Sequence, residues 1–150
     1  MTAIQVDLDI AEHLRATRDH LTANGIPAAL GRKPPDTGWT AAPGQSPFVA
    51  YVVLWRISAL EAPPFGLRVR HTEARPAIQT SCWGANPDQA NDLLDEVKTL
   101  MLNGSLAVPG RKIQRVIHEP GASDVRDPDS TPPLYYSADR YRIWSLPAPP

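Results

Sequence analysis

The stretch Phe48 to Ser58, FVAYVVLWRIS, decides the fold. Its β-branched and aromatic residues mark a strand. Alternation puts Phe48, Ala50, Val52 and Leu54 on one face and Val49, Tyr51, Val53, Trp55 and Ile57 on the other. Neither face reads as solvent-facing along its whole length, so this strand belongs inside a sheet. Two helices in a chain of 150 residues suffice to cover one sheet face, and the other face is expected to meet a partner or a second layer.

Working outward, the preceding segment Ile26 to Leu30 is a short edge strand, followed by a loop through Gly31, Pro34, Pro35, Gly38, Pro43 and Gly44. Before it, Ile10, Leu14, Arg18 and Leu21 recur at helical spacing, which predicts a helix that begins near Asp9 and stops at Gly25. After the strand, residues 59–76 form a long hairpin turning at Pro63, Pro64 and Gly66. The chain returns to the sheet as Ala77 to Gly84, with Ile78, Thr80 and Cys82 on one face and Gln79, Ser81 and Trp83 on the other.

A second helix follows, because Asn86 can cap it, Pro87 suits its first position and Asp88 complements its dipole. Its apolar stripe is Ala90, Leu93, Leu94, Val97, Leu100 and Met101. Arg111 to Glu119 is a strand in which Ile113 and Ile117 share a face with Arg115, so it is either bulged or half buried. Residues 120–133, with four prolines, are a long loop expected to be mobile in an isolated subunit. Leu134 to Leu146 closes the fold, alternating Asp139, Tyr141 and Ile143 with Arg140, Arg142 and Trp144, and residues 147–150 fray. The whole, 1–150, reads as one domain.

Composition bounds the function. Fifteen basic against 16 acidic residues leave a net charge of −1, so no global field draws in nucleic acid or an anionic membrane. The lone Cys82 excludes a disulfide framework and a cysteine-based zinc site. The N-terminus carries Asp7 and Asp9 where a signal peptide would be basic, and the longest apolar run is far short of the ~18–20 residues of a membrane span, which predicts a soluble, intracellular protein.

The chemistry-bearing residues fail as catalytic sets. No phosphate-cradling glycine pattern is present. His13 and His20 lie seven apart, about 10 Å on a helix, too far to share a metal, and are expected to face solvent. Cys82 with His118 could be a nucleophile and base, but Cys82 alternates with inward residues and reads as a small core hydrophobe. Asp124, Asp127 and Asp129 lack the glycine and glutamate of a calcium loop and read as a hydrated loop. No enzyme activity, cofactor or metal is expected. Arg140, Arg142, Trp144 and Tyr136 on one strand face suit either single-stranded nucleic acid or a protein interface, and the neutral charge favours the protein.

The stretches FVAYVVLWR (48–56), AIQTSCWGANPDQANDLLDEVKTLML (77–102) and YYSADRYRIWS (135–145), with the order of elements, resemble the tail terminator (tail completion) proteins of long-tailed bacteriophages. The resemblance implies an α/β (α+β) fold, two helices packed on one face of a mainly antiparallel sheet of about four to five strands with a long β-hairpin. It further implies a homo-oligomer, a hexameric ring that caps the tail tube, stops its polymerisation and joins a head-side connector. The expected partners are the major tail tube protein and the head–tail connector (stopper), with no membrane and no specific nucleic acid, although the lumen leaves room for DNA. The expected location is the head-proximal end of the virion tail, with the host cytoplasm during assembly. The alternatives are a neighbouring neck role, as stopper or adaptor, and a sheet domain binding single-stranded nucleic acid. The candidate interface comprises Phe65, Leu67, Arg68, Val69 and Arg70 of the hairpin, Trp83, Arg126, Asp127, and Arg140, Arg142 and Trp144 of the last strand.

Overall fold

A computed structural model describes residues 2–57 and 74–148. The element order is α1 (Thr2–Ala23), β1 (Ala28–Leu30), β2 (Gly38–Trp39), β3 (Phe48–Val49), β4 (Tyr51–Ile57), β5 (Ala77–Gly84), α2 (Pro87–Leu102), β6 (Arg111–Pro120), β7 (Val125–Asp127) and β8 (Leu134–Pro147). Six strands form one sheet in the order β1-β4-β5-β8-β6, with β7 also paired to β8. β1 runs parallel to β4 and the other pairs are antiparallel. The fold is α+β, with a mainly antiparallel sheet. The hairpin expected at 59–76 falls, but for its last residues, outside the described residues.

Helix α1 starts at Thr2, seven residues before the expected start at Asp9. The segment before Asp9 holds neither glycine nor proline, so nothing in it interrupts helical backbone. Its end is as expected: Gly25 adopts φ +84°, Ile26 N–H bonds to Leu21 C=O at 3.0 Å and Gly25 N–H to Thr22 C=O at 3.1 Å. This pair of bonds is a Schellman motif, and the buried Leu21 and Ile26 supply its hydrophobic contact.

The expected strand 48–58 is interrupted at Ala50, which belongs to neither β3 nor β4. β3 pairs instead with β2 as a separate two-stranded ribbon, and β2 lies inside the stretch expected to be a loop. The break shifts the alternation, so Phe48 packs with Tyr51 and Val53 rather than with Val52 and Leu54.

Helix α2 begins as its sequence dictates. The Asn86 side chain accepts from Gln89 N–H at 2.8 Å, and Pro87 occupies the first turn. Gln89 extends the cap: its Oε1 accepts from Ala85 N–H at 2.8 Å and its Nε2 donates to Phe48 C=O at 2.9 Å, tying the helix start to β3. Gly84 makes the turn possible, since a Cβ there would lie 2.7 Å from the Ala90 backbone nitrogen.

Both helices cover the same face of the sheet. Leu21 of α1 and Leu93, Val97 and Met101 of α2 share one core with Val52, Leu54, Ile78, Cys82, Tyr141 and Ile143. Strand β6 joins this core by a bulge, as its register shifts between Ile113 and Arg115. Ile113 therefore lies opposite Ser145 and Val116 opposite Ile143, both on the core side, while Arg115 and Ile117 face the other way. The strict alternation that would group Ile113 with Arg115 and Ile117 does not hold, because the extra residue inverts parity.

The expected long loop 120–133 contains β7, paired to β8 from Val125↔Tyr136 to Asp127↔Leu134. Ala138 N–H donates to Ala122 C=O at 2.7 Å, Asp124 N–H to Ser137 Oγ at 3.1 Å and Asn91 Nδ2 to Asp124 Oδ1 at 2.7 Å. The expectation of one long loop is thereby corrected: the segment carries a short strand and is tied to β8 and α2 by bonds that its sparse apolar content does not advertise.

Candidate interaction face

The sheet face turned away from the helices is built by the even-numbered residues of β8 and their partners in register. Tyr51, Trp83 and Tyr136 align across β4, β5 and β8. With Phe48 and Trp39 they make a continuous run of rings, with centroids 5.2 Å apart for Trp39 and Phe48, 6.0 Å for Phe48 and Tyr51, 6.2 Å for Tyr51 and Trp83, and 4.8 Å for Trp83 and Tyr136. Such edge and offset contacts stabilise beyond area burial alone. On the same face the next row is Val53, Ser81 and Ala138, then Trp55, Gln79, Arg140 and Glu119, and then Ile57, Ala77, Arg142 and Ile117.

This face changes character along the strands. Tyr51, Val53, Ser81 and Ala138 are buried, whereas Trp55 is 45% exposed and Arg115, Glu119 and Arg140 are open to solvent. Arg142 is half-buried, with Nε 3.7 Å from Glu119 Oε1. Trp144, opposite Arg115, carries Arg75 over its ring at 4.4 Å, a cation–π contact. The indole Nε1 of Trp144 is buried with no hydrogen-bond partner among the described residues.

The expected site residues are thus partly united. Trp83, Arg140, Arg142 and Trp144 share this face. Asp127 lies on it by register, and its carboxylate accepts from Asp129 N–H and the Ser130 hydroxyl, which hold it below the usual carboxylate range. Arg126 pairs with Tyr135 and so falls on the helix side, apart from the other arginines. Phe65, Leu67, Arg68, Val69 and Arg70 lie outside the described residues. Trp55, Arg75 and Arg115 were not in the expected set; the outward alternation of FVAYVVLWRIS already pointed to Trp55.

On the helix side, burial first and then the Asp139 charge push the Cys82 thiol far up. His118 turns to a different partner, with Nε2 2.9 Å from Asp139 Oδ2 and its ring 5.4 Å from that of Tyr141. Asp139 Oδ1 also accepts from Gly121 N–H at 3.4 Å. An aspartate alternating with Tyr141 and Ile143 on an inward face was the available signal for this cluster. Replacing Asp139 by alanine is expected to cost about 2 kcal/mol, because it strips a buried carboxylate from two partners. Denaturant midpoints measure the loss, and faster amide exchange at 121–124 would locate it.

The two helix histidines are not solvent-facing as expected. His13 is fully buried, with Nε2 2.7 Å from Ser145 Oγ, and half-buried His20 places Nε2 2.9 Å from Leu100 C=O. Spacing within one helix could not register partners 132 and 80 residues away. Among the described residues no group of three His, Cys, Asp or Glu could hold a metal, and no helix is long and apolar enough to cross a membrane. No protein-family model matches the sequence, and no curated protein matches it.

Proposed function

We propose that the protein is a structural tail-assembly component of the terminator kind, a subunit of a ring that caps a phage tail tube, stops its growth and offers a joining surface to the head-side connector. The observation that carries the reading is the two-sided sheet. One face is sealed by both helices, while the other presents Trp55, Ile57, Ile117, Arg115 and Arg140 without a second layer among the described residues. Tryptophan and arginine on an open face are the side chains enriched at protein interfaces. The α+β class with both helices on one side also agrees with what the resemblance implies. A stopper or adaptor role in the same neck would use a similar face. A net charge of −1 argues against nucleic acid as the principal partner.

Electron microscopy of tails assembled with and without the gene tests the reading. Overlong, headless tails without the protein, restored to one length by complementation, are the expected result. Tails of normal length in its absence would refute the terminator role.

A further inference from the structure

The open sheet face and the outer side of α2 carry opposite charge on opposite sides of the subunit. On the sheet, Arg140 stands opposite Glu119, and Arg115 opposite Trp144. Positions 140 and 144 of β8 are four residues apart, about 14 Å along a strand. On α2 the buried positions are Ala90, Leu93, Val97 and Met101, which turns Asp88, Asp92 and Asp95 directly outward with Glu96 beside them. From 88 to 96 is about 12 Å along a helix. The acidic and basic stripes therefore match in length. Arg115, Arg140 and these four carboxylates are all exposed, and none forms an ion pair among the described residues.

The geometry points to a head-to-tail contact in which the acidic stripe of α2 on one copy docks on the Arg115–Arg140 stripe of the next. A surface and its complement on opposite sides of one subunit define a heterologous interface, which closes into a ring when the rotation per step allows. The occupant is a second copy because the chain itself supplies both halves, of opposite charge and similar length. A phosphate backbone would answer the arginines and leave the carboxylates without a role. This inference rests on the ring reading and specifies which faces meet.

The test is sedimentation of the full-length protein with two charge-reversed variants, Arg115→Glu/Arg140→Glu and Asp88→Lys/Asp92→Lys, all substitutions at exposed positions. Each variant alone is expected to associate roughly tenfold or more weakly than the wild type, since like charges then face each other. An equimolar mixture is expected to recover association, because the reversed face of one variant fits the reversed helix of the other. Wild-type association should also weaken as salt rises from about 0.05 to 0.5 M, which stands as the measurement should a variant fail to fold. Variants that associate like the wild type, or a mixture that does not recover, would overturn the docking mode and leave the ring reading in place. A wild type that stays monomeric at every concentration and salt would overturn both. Binding of a single-stranded DNA oligonucleotide that Arg115→Glu/Arg140→Glu abolishes, with self-association unchanged, would reassign the face to nucleic acid.

Discussion

Raising the pH from about 9 to about 11 is expected to remove on the order of 4 kcal/mol of folding stability. Cys82 and Tyr141 are fully buried, and burial followed by the Asp139 charge pushes both groups up from ordinary values of 9.0 and 10.0. An acid whose pKa is raised by folding binds more protons folded than unfolded, so stability is intact below the unfolded value and falls as pH climbs past it. The slope is about 1.4 kcal/mol per pH unit for each such group, which gives about 2.7 from Cys82 over two units and about 1.4 from Tyr141 over one. Tyr51, raised mainly by burial, acts in the same direction. A loss of this size is a large part of the ~5–15 kcal/mol that holds a domain folded. Urea midpoints at the two pH values measure it. The double variant Cys82→Ser/Tyr141→Phe should show a flatter profile, and an equally steep one would show that these two groups are not its source.

Tyr141→Ala should cost about 3–5 kcal/mol, because it empties a fully enclosed aromatic volume shared with Ile78, Ile143 and Cys82. Tyr141→Phe should differ from the wild type by no more than about 1 kcal/mol and in the stabilising direction. The Tyr141 hydroxyl is buried without a hydrogen-bond partner among the described residues, so removing it relieves an unmet desolvation cost. Denaturant midpoints with unchanged m-values would confirm that the native state alone is affected. A large loss for Tyr141→Phe would reveal that the hydroxyl has a partner after all.

The elements with local signals were legible in the chain. Asn86 and Pro87 announce α2, Gly25 ends α1, and the alternation of Ile78, Thr80 and Cys82 identifies the inward face of β5, since each depends on neighbours within a few residues. The features that escaped depend on pairing between distant segments. The break at Ala50 changes parity, and a one-residue change of parity moves every following side chain to the other face; the bulge in β6 is one of the two readings its sequence offers, and the register on β8 decides for it. Strand β7 exists only because β8 offers it a ladder.

The candidate face divides in the same way. Arg140, Arg142 and Trp144 could be grouped because they alternate on one strand. Arg115 joins them only through the shifted register, Arg75 only by its approach to Trp144, and Arg126 leaves them because β7 sets it on the helix side.

The bulge in β6 has a consequence beyond parity. Among the described residues no strand lies outside β6, whose ten residues would otherwise present a long, flat template to any extended peptide. Backbone hydrogen bonding is indifferent to sequence and, once begun at a free edge, need not stop. The irregularity at 113–115 twists that edge, and Lys112 and Arg115 place repelling charge on either side of it. Fibre-like accretion along this edge is thereby discouraged, so an extended peptide that met it would find the ladder broken after a few bonds.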